Sequence, residues 1–388
     1  MRTQVGIVGA GPAGLMLALL LRRAGIDSVI IENRSRDYIE HRIRAGLLEQ
    51  WVTDLLVDLG VGERMRREAM FHRGIFLNFD GELHHIDFRN LIDKGVTIYG
   101  QQEVVKDLVE RLLGDGVEIL FEVEDVSIHD FTGDRPMIRF RHGGIARQID
   151  CDFIGGCDGS HGVCRPSFPP DLLQVFEREY PFGWVGILAD SPPPEDELIY
   201  TYHDRGFALF TMRSPTLARL YLQCGHDEDI DNWPDARIWD ELHTRLNGVR
   251  PLAEGKMLQK GITPMRSFVV EPMQVGRLFL AGDSAHIVPP TGAKGMNLAV
   301  ADVVRLSQAL EAFYRQNRTD LLDAYSKTCL ARVWKAQRFS WWMTQMMHRF
   351  PDESPFDRRR QLAELAYVAS STAAATALAE NYTGLPMA

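Results

Sequence analysis

Positive charge is what this chain most plainly lacks. Lysine and arginine number 43 against 53 aspartates and glutamates, a net charge of −10, and no block of basic residues interrupts the deficit. That argues against a nucleic-acid partner, which is held by clustered cations. Cysteine is also scarce. Cys151, Cys157, Cys164, Cys224 and Cys329 are odd in number and form no CxxC pair. A disulfide framework and a zinc site are therefore not expected, no metal is assigned, and the thiols read as reduced in a cytoplasmic protein. Long apolar runs are missing too. Val5–Leu21 carries no charge, but Gly9, Gly11, Pro12 and Gly14 divide it into a short strand and a helix start. It falls short of the ~20 apolar residues that cross a bilayer, so the chain reads as soluble, with no membrane association. Internal repeats, low-complexity tracts and exposed linkers are absent.

What remains has the composition of an ordinary globular protein, 45% hydrophobic and 25% charged over 388 residues, long enough for two intimately packed domains. The first unit is TQVGIVGAGPAGLMLALLLRRAGIDSVIIEN. Val5, Ile7 and Val8 form a strand, the turn reads Gly9-x-Gly11-x-x-Gly14, and a helix runs to Arg23 with Gly25 as its C-terminal cap. A second strand, Ser28–Ile31, ends in Glu32. Glycines at this spacing allow a tight turn, close approach of a pyrophosphate and close helix–strand packing, while Glu32 is placed for the ribose hydroxyls of an adenosine. The unit reads as dinucleotide-binding, without separating NAD from FAD. Arg34, Arg36, His41, Arg42 and Arg44 follow, either as a solvated loop or as groups that neutralise the pyrophosphate.

A second cofactor element lies late, in GRLFLAGDSAHIVPPTGAKGMNLAVAD (276–302). The apolar run Leu278–Leu280 ends in Gly282-Asp283, a Pro289-Pro290 loop follows, and a helix pattern starts near Ala293. An acid at a strand end can hold a sugar or ribityl hydroxyl, and a helix start offers free N–H groups. A third strand end, Cys157-Asp158-Gly159, reads as a turn by itself and, beside the other two, as part of the same pocket. Gly46–Leu59 reads as one amphipathic helix, and His72 opens a strand region, Ile75–Phe79 and Leu83–Phe88. Tyr99-Gly100-Gln101 leads into a helix over Glu103–Leu113. Further strands read at Val117–Val123, Met137–Arg141, Asp152–Gly156 and Trp184–Ala189.

Leu198–Tyr202, Phe207–Met212 and Arg219–Cys224 are short strands with tight connections, an antiparallel sheet inserted between the cofactor motifs. Alternation turns Thr211 and Arg213 to one face. An arginine there is either in a structural salt bridge or waiting for a substrate carboxylate. From Leu306 onward the chain is helical. Trp334, Trp341, Trp342 and Met347 lie on one long helix as core or subunit contact.

GAGPAG at 9–14, CDG at 157–159 and Gly282-Asp283 together resemble the class A single-component FAD aromatic hydroxylases. RIRAGLLEQ, YPFGW, ELIY, RGFAL, RSFVVEPM, AGDSAHIVPPTGAKG, RFSWWM and ENYTGLP are similar to the branch of that family that hydroxylates 4-hydroxybenzoate, over Thr3–Pro386. The resemblance implies an α/β fold (α+β overall). A doubly wound FAD-binding domain (1–175 and 266–300) carries an inserted antiparallel-sheet substrate domain (176–265). A helical C-terminal region (301–388) makes the contact of a homodimer. It implies FAD as cofactor, NADPH or NADH as reductant, O2 as co-substrate, and a small aromatic acid as substrate.

The same resemblance assigns residues. Gly9, Gly11, Gly14, Glu32, Arg44, Gln101, Asp158 and Asp283 attend the FAD, with Lys294 and Asn297 beside the flavin. Arg213, Thr211 and Tyr221 hold the substrate carboxylate. Tyr200 meets the phenol oxygen and passes its proton through Tyr382 towards His72, a lone histidine that local sequence alone leaves as a satisfied polar group. The Pro290 carbonyl faces the same phenol. His161 and Arg266 receive the nicotinamide cofactor. The segment Asn33–Arg36 departs from the family pattern, so the resemblance does not choose between NADPH and NADH; Tyr38 and Arg42, with Arg34 and Arg36, form a basic and aromatic surface suited to a 2′-phosphate and so favour NADPH. Thr211 and Ser160 depart from the family pattern, which has serine and a bulky aromatic there. The chemistry is coherent: a phenol with pKa near 10 is ~0.1% ionised at neutral pH, and only the phenolate is electron-rich enough at its ortho carbon. Histidine titrates near neutrality and suits the end of a proton chain. A related hydroxylase of another carboxylated phenol stays open. A non-catalytic flavin-binding protein is expected to have lost Asp283, Pro290 or the Tyr200–Tyr382 pair, and a flavin halogenase would carry a WxWxIP run, absent here.

Overall fold

Strands buried on both faces read as short apolar runs, and the central sheet is built of them. In the computed structural model, which describes residues 1–387, Val5–Val8 and Leu278–Leu280 are buried at every position. The sheet runs in the order Gln274–Val275, Leu278–Leu280, Phe153–Gly156, Val5–Val8, Ser28–Ile31, Glu118–Leu120. All neighbours are parallel except the first pair. The three glycine- or acid-bearing strand ends lie side by side at the carboxyl edge of this sheet, where open α/β sheets bind ligands. Helices Pro12–Arg23 and Gly295–Gln316 leave from that edge.

A second sheet of eight strands forms the substrate side, in the order His286–Ile287, Lys256–Glu271, Gln174–Asp190, Leu217–Gly225, Ala208–Ser214, Ile199–Thr201, Gly74–Phe79, Glu82–Asp87. Gly74–Phe79 and Glu82–Asp87 come from outside residues 176–265, and Ile199–Thr201 pairs with Gly74–Phe79 in parallel. Lys256–Glu271 and Gln174–Asp190 pair along almost their whole lengths and contribute to the cores on both sides, Phe268–Val270 to one and Val185, Ile187 and Ala189 to the other. Three-stranded sheets at Glu124–His129, Met137–His142 and Ile145–Asp150, and at Leu47–Glu49, Met70–His72 and Val96–Ile98, complete the β structure. Among the described residues no single helix is long and apolar enough to cross a membrane, and no group of side chains is spaced to hold a metal ion. All five cysteines are buried and free.

Several elements differ from the sequence reading. Gly46–Leu59 is not one helix: Leu47–Glu49 is a strand and the helix is Gln50–Asp58. The strand wins because Val96–Ile98 pairs with it and the Asn297 side chain bonds its backbone at both ends. His72 ends the strand Met70–His72 instead of opening one, and Phe88 starts a short helix. The strand read at Trp184–Ala189 is the inner third of a 17-residue strand, Gln174–Asp190, whose outer part is too polar to show. Strands Glu124–His129 and Ile145–Asp150 escaped notice for the same reason; they flank Met137–His142 as a meander that buries only Ile128, Ile138, Phe140 and Ile149 against the core.

Candidate active site

The glycine turn is shaped by its surroundings. Gly9 has φ +103°, and a Cβ there would come 2.3 Å from the Cys157 carbonyl oxygen. A Cβ on Gly14 would sit 1.9 Å from the Gly9 oxygen, so both positions demand glycine. Gly11 is different: nothing lies within 4 Å of its Cβ position, which faces open space before the uncapped start of helix Pro12–Arg23. The Glu32 carboxylate accepts from the backbone N–H of Ala10 and of Arg34, each at 2.8 Å, and so ties the turn to the end of the second strand. Its unused lone pairs remain for hydroxyls.

Asp283 lies at the floor of the cleft, open to solvent yet crowded by protein. That crowding pushes its carboxyl up, opposed by His286, Arg44, Arg42 and Arg266. Beneath it His286 Nε2 meets Asp302 Oδ2 at 2.6 Å, and the same oxygen accepts from the Gly282 N–H at 2.9 Å. Burial drives the His286 pKa down, but Asp302 outweighs it and the net direction is up. Arg44 is held low by desolvation and by its neighbour Arg42. Gln101 opens the helix Gln101–Gly114 on the other side, its N–H bonded to the Ala45 carbonyl. Asp158 turns back into its own loop, where Oδ2 accepts from the Cys164 N–H at 2.8 Å. Desolvation raises its pKa, and its Oδ1 is buried without a partner.

On the substrate sheet Arg213 donates to the Met212 carbonyl at 3.0 Å and the Arg44 carbonyl at 3.1 Å, while its Nε is buried with no partner. Among the described residues no carboxylate lies within 4 Å of it, so the structural salt bridge is not there. Arg219, on the neighbouring strand opposite Thr211, donates to the Tyr221 hydroxyl at 3.1 Å, and its Nη1 is likewise buried and unpartnered. Burial raises the Tyr221 pKa, but the two guanidiniums outweigh it and hold the phenol low. Gly186 makes room for them: a Cβ there would meet Arg219 Nη2 at 3.1 Å. Two cations and a hydroxyl thus lie together with no carboxylate beside them among the described residues, which is costly unless an anion arrives.

At the other end Tyr200 and Tyr382, both fully buried, bring their hydroxyls to 2.7 Å. Tyr200 also lies 3.1 Å from the Thr291 carbonyl. Desolvation raises both phenols. The Pro290 carbonyl accepts from the Ala293 N–H at 2.9 Å in the adjoining turn. His72 is not hydrogen-bonded to the tyrosines: both ring nitrogens are buried without partners, and desolvation pushes its pKa down to about 4. Lys294 Nζ reaches Glu49 at 2.6 Å and the Tyr382 carbonyl at 2.9 Å. Asn297 bonds Glu49 and Leu47, so this pair clamps the helix start and the C-terminal segment together. His161 is exposed; Arg266 pairs with Glu177 at 3.2 Å and shares the face of Phe268 with Arg165.

The FAD binding domain family matches residues 2–340. The p-hydroxybenzoate hydroxylase of Acinetobacter baylyi is 52% identical over 100% of this chain and 96% of its own length. The chain belongs to this FAD-binding family. A 6-methylpretetramide 4-monooxygenase of Streptomyces rimosus is 26% identical, covering 89% of this chain and 84% of that one. Among solved structures, p-nitrophenol 4-monooxygenase PnpA of Pseudomonas putida superposes with a TM-score of 0.80 at 20% identity over 99% of both chains, a likeness of fold.

The family's cofactor fits the cleft. Gly11 leaves the space a pyrophosphate needs, the helix start behind it is uncapped, and Asp283 stands in the open among arginines. Sequence reasoning missed Arg219, Glu49 and the Thr291 carbonyl. The period-two rule used for Thr211 and Arg213 would have exposed Arg219 with Tyr221, had it been applied one strand further. Glu49 carried no local signal of charge pairing, since its cationic partners Lys294 and Arg332 lie over 240 residues away.

Proposed function

We propose that this chain is an FAD-dependent aromatic monooxygenase that converts 4-hydroxybenzoate, O2, NAD(P)H and a proton into 3,4-dihydroxybenzoate, water and NAD(P)+. The observation that carries the substrate is the pocket's polarity: unpaired Arg213 and Arg219 with Tyr221 at one end, the Tyr200–Tyr382 hydroxyl pair at the other. That matches an aromatic ring with a carboxylate at one pole and a phenol at the opposite one. Relatedness at 52% identity supports the same reading.

Bound FAD supplies hydride acceptance from the nicotinamide and, once reduced, oxygen transfer to the ring. The chain's own residues do the rest. Arg213 and Arg219 bind the carboxylate and orient the ring, and Thr211 borders them. Trp184 and Phe207 line the ring's surroundings, each within 6 Å of Tyr221 or Tyr200. The phenol's proton passes to the Tyr200 oxygen as Tyr200 gives its own to the Tyr382 oxygen. His72 is the proposed end of that path, although burial holds it neutral at pH 7, not near its titration point as expected, and out of hydrogen-bond contact with both tyrosines. The Glu32, Asp283, Arg44, Gln101 and Gly9–Gly14 positions hold FAD, with Asp158, Lys294 and Asn297 framing them. Arg42, His161 and Arg266 receive the nicotinamide nucleotide, with NADPH preferred. The protein is read as a cytoplasmic homodimer, in keeping with its free cysteines and with the exposed Trp334 and Trp341 on one helix.

Anaerobic stopped-flow of the FAD-loaded protein tests this directly. Addition of 4-hydroxybenzoate is expected to accelerate flavin reduction by NADPH, and admission of O2 to yield 3,4-dihydroxybenzoate. Reduction indifferent to 4-hydroxybenzoate, with no catechol formed, overturns the substrate assignment.

A further inference from the structure

The helix Tyr325–Met347 carries a second stripe beside its tryptophans. Gln337, Ser340, Thr344 and, one residue past the helix end, His348 recur at spacings of three and four and share a face. All four are buried. Aliphatic side chains would fill such positions without the cost of desolvating polar groups, so what the polar ones bond to is informative.

Their partners converge on the substrate end of the cleft. Gln337 Nε2 donates to the Ile287 carbonyl at 2.7 Å. Thr344 Oγ1 lies 2.8 Å from the Ser340 carbonyl and 3.0 Å from Thr291 Oγ1. A carbonyl only accepts, so the Thr344 proton goes to Ser340 and Thr291 donates to Thr344. His348 Nδ1 donates to the Thr344 carbonyl at 3.1 Å, and its Nε2 accepts from the Trp184 indole at 2.7 Å. Acceptance at Nε2 needs the neutral ring, as the Nδ1–H tautomer. Packing is equally close: a Cβ on Gly292 would come 2.6 Å from Ser340 Oγ. The stripe therefore grips Thr291, whose carbonyl accepts from Tyr200, and Trp184, which stacks on Phe207 beside Tyr200.

We propose that Thr344 is a positioning residue for phenol ionisation. Through the Thr291 hydroxyl it holds the Thr291 carbonyl as the resting acceptor of the Tyr200 proton, at the distance from which a substrate oxygen can take that proton over. Tyr200 has one proton to give. With Tyr382 donating to its oxygen, that proton points to Thr291; when a phenolate forms at the substrate pole, the O–H turns from Thr291 to it. The 3.1 Å Tyr200–Thr291 bond is long for O–H···O. Loss of the Thr344 grip frees the Thr291 peptide to close on Tyr200 and keep the proton, which disfavours the phenolate.

This inference rests on the hydroxylation reading, and one titration separates the two. Absorbance of 4-hydroxybenzoate bound to the FAD-loaded enzyme is followed across neutral pH for wild type, Thr344→Val and Thr344→Ser. Thr344→Val is expected to raise the pKa of the bound phenol by about half a unit or more, roughly a threefold loss of phenolate. Thr344→Ser, which keeps the hydroxyl, should match wild type, and substrate affinity below the titration should be the same in all three. An unshifted pKa in Thr344→Val overturns the inference and leaves the hydroxylation reading standing. Wild type that fails to bind or ionise 4-hydroxybenzoate removes both. Should Thr344→Val fail to load FAD, Thr291→Val removes the same hydroxyl contact from the other side and is judged by the same shift.

Discussion

Replacing Arg213 with alanine should damage binding without damaging the fold, and the structure sets both magnitudes. In the free protein the guanidinium faces no carboxylate, its Nε has no partner, and burial together with nearby Arg219 pushes its pKa down. Its removal loses two bonds to carbonyls, at about 1 kcal/mol each, and relieves a desolvated charge beside a like charge. These oppose each other, so unfolding free energy should change by no more than ~1 kcal/mol. Binding loses a charge-assisted pair of about 1.5–3 kcal/mol, roughly 10- to 150-fold in Kd. The assay is a flavin difference-spectrum titration with 4-hydroxybenzoate, paired with urea unfolding. Phenol, which has no carboxylate, serves as control and should bind wild type and Arg213→Ala alike. A Kd within twofold of wild type, or a stability loss of several kcal/mol, would refute the reasoning and return Arg213 to a structural role.

Tyr200→Phe removes the hydroxyl that meets both Tyr382 and the Thr291 carbonyl. Hydroxylation should slow at least tenfold, with reducing equivalents lost as hydrogen peroxide; full coupling of NADPH to catechol would sink the phenolate argument. The glycine fingerprint separates packing from ligand space. Gly14→Ala drives a Cβ into the Gly9 carbonyl and should abolish soluble holoprotein, whereas Gly11→Ala meets nothing in the protein. The latter should fold and lose FAD affinity alone, tenfold or more by fluorescence titration; unchanged FAD affinity would clear Gly11 of pyrophosphate contact. Acid stability has a defined sign. Burial lowers His72 to about 4 and His348 to about 3 from an ordinary 6.5, so the unfolded chain takes up protons that the folded one refuses. Stability is intact above pH 6.5 and lost as pH falls below it, by about 2 kcal/mol per histidine at pH 5. His72→Asn should flatten urea-midpoint loss between pH 7 and pH 5 by its share, and an identical slope would remove His72 as a contributor.

Legibility followed the range of the interactions. The dinucleotide unit could be read because its constraints are local: Gly9 and Gly14 are forced by atoms of the turn itself and of one adjacent strand end, and Glu32 closes the unit 18 residues after Gly14. Strand positions at the sheet's carboxyl edge followed from apolar runs ending in glycine or acid. Periodicity failed where a distant partner decided the backbone. Leu47–Glu49 is as compatible with a helix as with a strand until Val96–Ile98 and Asn297 are brought to it. The polar outer half of Gln174–Asp190 shows no core pattern, because what holds it is the backbone ladder to Lys256–Glu271.

The same logic explains which parts of the site stayed hidden. Residues facing ligand could be proposed from type and spacing, because a cation without a local counter-charge is conspicuous. Residues that hold those residues could not. Glu49 satisfies Lys294, Arg332 and the Trp51 indole at once, and Gly384 packs on it so tightly that a Cβ would come 2.2 Å from its Oε2. Through Lys294 the same acid fixes the Tyr382 carbonyl, and with it the hydroxyl that meets Tyr200. A buried ion pair of this kind is weak evidence of stability, since isosteric apolar residues often do as well. Its value lies in register: it sets the C-terminal segment against the strand Leu47–Glu49 to within one hydrogen bond. The proton-bearing pair of the site is thus assembled from residues 182 apart in sequence, held by a clamp 245 apart, and neither separation leaves a trace in local pattern.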